Sequence, residues 1–103
     1  MINHLLSCIL LITLALTHTL TAQSDTAAVR PGTILLSAYQ TVNEAEKLEE
    51  AQDHKAAWNK YQQALRYYQS LSGAHPDWRP NIVNRRLKST AAAIARVEPM
   101  AHK

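Results

Sequence analysis

Five acids crowd into ten residues of this chain: Glu44, Glu46, Glu49, Glu50 and Asp53, with Lys47 the one base among them. Paired carboxylates do general acid–base work when one of them is shielded and its proton affinity raised. Acids packed this densely in one short stretch read as a solvated face instead. The counterpart lies at 79–96, where Arg79, Arg85, Arg86, Lys88 and Arg96 stand without an acid between them. One reading is charge matching, within a helical bundle or across a dimer, with exposed pairs worth only ~0–1 kcal/mol each. The sharper reading is a patch for an anionic partner at Arg85, Arg86 and Lys88. Nucleic acid is not expected there, because the basic run has no interleaved aromatics on which bases would stack.

The remaining reactive side chains assemble nothing catalytic. The histidines, His4, His18, His54, His75 and His102, include no pair at metal-ligand spacing on one helix. His54 and His75 read as polar loop residues. Two glycines in 103 residues leave no Gly-rich phosphate loop and no nucleophile elbow around a serine. Cys8 is the single cysteine, and LLSC at 5–8 faintly resembles a lipoprotein cleavage box. The apolar run continues past it, so cleavage there would leave a greasy tail, and that reading is rejected. No metal, no cofactor and no enzymatic activity are expected. Tyr61 and Tyr68 fall at core spacing, whereas Tyr67 points elsewhere and is the better surface aromatic.

The elements that position these residues begin after residue 22. Residues 1–22 contain none of the Lys, Arg, Asp or Glu, and 5–16 read LLSCILLITLAL. A run of 12 suits a signal-peptide core and is short for a bilayer span of ~20 residues. Cleavage after Ala22 is expected, giving a mature chain in the periplasm or outside the cell. The alternative is a retained membrane anchor using 5–22. Residues 23–33, with Pro31-Gly32, read as a linker.

Helical spacing then dominates. Leu35, Ala38, Val42, Ala45 and Leu48 predict a first helix, and Ala57, Tyr61, Ala64, Leu65, Tyr68 and Leu71 a second. Asp53 is placed to cap the second by accepting from its free N–H groups. One continuous helix is the competing arrangement. Gly73 is the expected stop. Pro80 suits the first turn of a third helix, whose apolar face is Val83, Leu87, Thr90, Ile94 and Val97. Glu98-Pro99 is its expected end, with 99–103 a disordered tail.

The stretch 45–65, AEKLEEAQDHKAAWNKYQQAL, resembles a tetratricopeptide repeat, a pair of antiparallel helices with small residues where they approach. Ala57 matches the small residue early in the repeat's second helix, Tyr61 its aromatic and Ala64 its later alanine. Ala45 matches the small position of the first helix and Leu48 the large position after it. Thr41, Glu44 and Gln69 stand where the repeat usually has Trp, Leu and Pro. The resemblance covers about 35 residues, a single repeat. It implies an all-α body over 34–98, with the third helix capping the pair, and a role in binding a protein or peptide or in self-association. Trp58 and Trp78 are placed to close the two ends of that cap. The runners-up are a membrane-tethered structural envelope protein and a weak carbohydrate or anion binder; membrane association is expected only if residues 1–22 are retained.

The core is thin. Residues 23–103 hold 13 Leu, Ile and Val and no Phe, little for a domain of ~80 residues. The first helix carries Leu35, Leu36, Tyr39 and Val42 upstream of the hairpin. These four are expected to lie exposed and to form an interaction surface.

Overall fold

The computed structural model describes residues 29–103 as three α-helices: α1 (Pro31–Glu50), α2 (His54–Ala74) and α3 (Pro80–Ala101). The class is all-α, as the periodicity predicts, and the single-helix alternative fails at 51–53. The signal or anchor at 1–22 lies outside the described residues, as does most of the linker. Among the described residues no helix is long and apolar enough to cross a membrane.

Each helix boundary has a local cause. α1 starts at Pro31, inside the expected linker, because a proline at the first helical position has its φ preset and loses no hydrogen bond. It ends where the N–H of Gln52 donates to Glu49 O (3.0 Å) and that of Asp53 to Leu48 O (2.9 Å). Gln52 takes φ 62° to make this possible, the left-handed conformation usually given to glycine. Asp53 then caps α2, its Oδ1 accepting from Ala56 N at 3.3 Å.

Two expected stops do not stop their helices. Gly73 lies within α2, which ends at Ala74; the terminator is Pro76, whose ring disfavours helical backbone at His75 (φ −134°, ψ 64°). Pro99 sits inside α3, which runs on to Ala101 rather than fraying. Near a C-terminus a proline forfeits a single intrahelical bond, and its φ suits the helix. The last turn is held from outside, the His102 ring meeting the Trp58 ring edge-on at 5.0 Å.

The helices pack in chain order. α1 lies on α2 and α2 on α3, and these are the two tight seams. The pairings Tyr39–Tyr68 and Glu44–Lys60 make α1 and α2 antiparallel; Trp58–His102 does the same for α2 and α3. α1 and α3 therefore run parallel on either side of α2. The central helix buries Ala57, Tyr61, Ala64, Tyr68 and Leu71, alternating steps of four and three. That is the spacing of a heptad seam. Two clusters result. Leu35, Ala38, Ala64, Tyr68, Leu71 and Val83 fill one half, closed by Trp78. Ala45, Ala57, Tyr61, Ala93 and Val97 fill the other, closed by Trp58. Tyr68, Leu71 and Val97 are the largest fully buried side chains, each worth ~1.5–3 kcal/mol on burial. Ala38, Ala45, Ala57 and Ala64 are fully buried as well. They contribute closeness rather than area.

Candidate interaction groove between the first and third helices

Because α1 and α3 flank α2 and touch each other only at isolated side chains, a groove runs between them with α2 as its floor. Tyr61 and Tyr68 lie at the bottom with Thr90 and Ala93; Val42 and Glu46 form the α1 wall and Arg86, Ser89 and Arg96 the α3 wall. Three adjoining hollows of ≈ 330, 160 and 230 Å³ follow its length and share Glu46. Two of them are smaller than the ~300 Å³ of an ordinary small-molecule pocket, and all three are open. The form is that of a surface for a chain rather than an enclosure for a small ligand. A further hollow of ≈ 430 Å³ on the α1–α2 seam, away from α3, is lined by amides, Lys60 and Arg66 and has no aromatic floor.

Two arginines of α3 reach across the groove to α1. Arg86 sets its guanidinium 4.8 Å from the centre of the Tyr39 ring. Arg96 donates to both oxygens of Glu49, from Nη2 at 2.8 Å and from Nε at 3.3 Å. The Tyr61 hydroxyl donates to the same carboxylate at 2.7 Å. Glu49 is thereby tied to both other helices. The Arg96 guanidinium beside it, with lesser help from Tyr61, holds its carboxyl below the usual range against the opposing push of burial. Arg96 is held correspondingly more basic, chiefly by that carboxylate. Burial first, and then Glu49, push the Tyr61 phenol up to about 12; burial does the same for Tyr68, also to about 12. Neither phenol carries charge near neutrality.

The sequence-predicted surfaces are rearranged. Leu35 is buried, and Tyr39 and Val42 pack half-buried against the core; of that set only Leu36 stands out in water, 56% exposed. The expected patch fails because the C-terminal half of α2 with Val83 of α3 supplies the partners that the chain's local sequence does not suggest. The expected basic patch is split. Arg86 faces the groove, while Arg85 and Lys88 line the outer face of α3 with Asn81 and Asn84. Tyr67, expected at the surface, packs half-buried against the first cluster. His54 opens α2 rather than sitting in a loop, and its Nδ1 and the Nε1 of Trp58 are enclosed without hydrogen-bond partners.

Ala45, Ala57, Tyr61 and Ala64 are buried at the helix seams, and Leu48 is half-buried beside them. Glu46, Glu49 and Arg96 belong to the groove, and the Arg96–Glu49 pair is an instance of the charge matching expected between 44–53 and 79–96 within a bundle. Ser89, Thr90 and Ala93 also belong to it and escape the sequence reading as site residues. Their one available signal is the spacing of 86, 89, 93 and 96 along one face of α3. Among the described residues no three His, Asp or Glu side chains converge as metal ligands do. Comparison with protein families, with curated proteins and with solved structures finds no match to this chain.

Proposed function

We propose that this chain is an exported, non-catalytic interaction module of tetratricopeptide-like plan, whose α1–α3 groove receives a segment of a partner protein or peptide. One observation carries the reading: two parallel helices hold an open groove over an aromatic floor, with Glu46 and Glu50 along the α1 side and Arg86 and Arg96 along the α3 side. Walls of opposite sign favour one orientation of a charged partner strand over its reverse. The plan is supported by the small residues Ala45, Ala57 and Ala64 at the closest helix approaches and by α3 lying parallel to α1. The groove is preferred to the 35–42 surface because Leu35, Tyr39 and Val42, expected to meet a second copy or a partner chain, are engaged within the chain. Export rests on the charge-free residues 1–22.

A photo-crosslinking residue placed at Ser89, in the groove, is compared with one at Gln63, on the far side of α2. The reading requires a discrete partner captured from Ser89 and lost with Arg86→Glu. Equal capture from both positions, or capture unaffected by the charge reversal, removes it.

A further inference from the structure

The groove is one surface; the end of the bundle where α1 and α3 begin is another, of different chemistry. Among the described residues, Arg30, Arg66, Arg79, Arg85, Arg86 and Lys88 all fall in that half, against a single acid, Asp77. All six are exposed, and none belongs to either of the ion pairs formed among the described residues, Lys60–Glu44 and Arg96–Glu49. The opposite half is close to balance, with Glu44, Glu46, Glu49, Glu50, Asp53 and Glu98 against Lys47, Lys55, Lys60, Arg96 and Lys103. The excess positive charge of the described residues is thus confined to one end.

The two most exposed large apolar side chains share this end, Val29 at 49% and Leu36 at 56%, while Met100, at 38%, lies at the other. Trp78 lies half-buried there with the Arg79 guanidinium 5.1 Å from its ring centre. Arg79 sits in the left-handed conformation, φ 44°, immediately before Pro80. Basic side chains around exposed aliphatics and a tryptophan form the composition that settles at a lipid headgroup boundary: the rings and stems enter the interface while the charges meet phosphate. The chain also reaches this end from the apolar run 5–16. The eight residues 23–30 separate residue 22 from α1 and span at most ~29 Å.

We infer that the end bearing Arg30, Trp78, Arg79 and Arg85 lies against an anionic phospholipid surface, with the charge-balanced end of the bundle pointing away from it. The inference does not depend on the groove. The two tryptophans mark opposite ends, Trp78 at the basic end and Trp58 beside the C-terminus of α3, so the orientation can be read directly.

The test uses the full chain with vesicles of phosphatidylcholine, alone or mixed with phosphatidylglycerol, carrying a quencher at headgroup depth. Trp58→Phe leaves Trp78 as the reporter, and Trp78→Phe leaves Trp58. Hydrogen exchange on the unsubstituted chain, with the same vesicles, provides a readout that needs no substitution. The expected result is quenching of Trp78 and protection of 76–86 on anionic vesicles only, with Trp58 unaffected. Arg79→Glu with Arg85→Glu is expected to weaken this by about tenfold or more, each basic residue near a charged surface being worth about fivefold. Lys55→Glu with Lys60→Glu, the same charge change at the other end, should leave it unchanged. Salt near 1 M, where the Debye length is ~3 Å, should abolish it. Equal quenching of both tryptophans, or equal effects on neutral vesicles, overturns the proposal. So does protection of 76–86 by soluble polyglutamate with no lipid quenching, which assigns this end to an acidic polypeptide.

Discussion

Tyr61 of α2 donates its hydroxyl to Glu49 of α1 at 2.7 Å, and the oxygen that accepts it, Oε1, also accepts from Arg96 of α3 at 2.8 Å. One carboxylate oxygen thus joins all three helices at the acidic end of the groove. The two partners differ in environment. Tyr61 is 3% exposed, whereas more than half of the Arg96 side chain faces water. The hydroxyl bond is therefore the larger contribution, and the charge pair is screened.

Glu49→Ala is expected to cost about 1–2 kcal/mol, because it leaves the Tyr61 hydroxyl without its acceptor. Arg96→Ala should cost under about 1 kcal/mol, the range of exposed pairs. Urea unfolding of both variants, with Tyr61→Phe completing a double-mutant cycle on Glu49, measures the difference. A larger loss from Arg96→Ala, or no coupling between Tyr61 and Glu49, would refute this ranking.

Stability should fall at both ends of the pH scale for separate reasons. Glu49 has its folded pKa lowered from the ordinary 4.5, so its contribution is complete above that value and disappears as pH falls through the depressed folded one. Tyr61 and Tyr68 move the other way, from 10.0 to about 12. Their contribution is complete below pH 10 and is lost between about 10 and 12, on the order of 2 kcal/mol for each phenol. Urea midpoints across the pH range, read beside tyrosinate absorbance, check both limbs. Folded protein in which Tyr61 and Tyr68 ionise near pH 10 would contradict the alkaline limb.

Ala57→Leu should destabilise by roughly 1–3 kcal/mol, since added methylenes at a filled seam force the helices apart. Ala57 is fully buried, in a cluster with Ala45, Tyr61, Ala93 and Val97. Ala92→Leu, on the exposed side of α3, is the control and should be close to neutral. Equal melting temperatures for the two variants would mean that the α1–α2 seam has room to spare.

Two backbone positions should accept stabilising changes. A Cβ at Gly73 would meet nothing within 4 Å, so Gly73→Ala removes chain freedom from the unfolded state and should stabilise by about 0.4–1 kcal/mol. Gln52, at φ 62°, bears the left-handed strain that glycine avoids, of about 1–2 kcal/mol. Gln52→Gly should recover part of it, less the greater entropy of the unfolded glycine. A drop in thermal midpoint for Gly73→Ala would show that the helix does not pass through residue 73.

The α2 and α3 seams were legible because their buried positions recur every three or four residues, and the cap at Asp53 because a capping side chain acts within its own turn. Helix ends were less legible. A glycine penalty of ~1 kcal/mol at Gly73 is small beside the burial of Leu71 and the restriction imposed by Pro76, and nothing near Pro99 in sequence announces Trp58, which holds the turn beyond it. Leu35, Tyr39 and Val42 look unpartnered along the chain because their cover comes from Tyr68 and Val83, supplied only once the hairpin closes. The matching of 44–53 with 79–96 was legible as charge, but which residues pair was not: Glu49 and Arg96 are 47 residues apart, and only the folded hairpin selects them and opens the groove between their helices.

Three helices in strict up–down–up order have an odd count, so α1 begins and α3 ends at opposite poles of the bundle. With ~30 Å of helix between those poles, tension applied there would act parallel to both seams. It would shear them, loading Ala38, Ala45, Ala57 and Ala64 and their neighbours together rather than peeling one turn at a time. An even-numbered hairpin gripped at its two ends unzips. This three-helix body, held at the start of α1 and pulled from the end of α3, would bear force along its whole length before it yields.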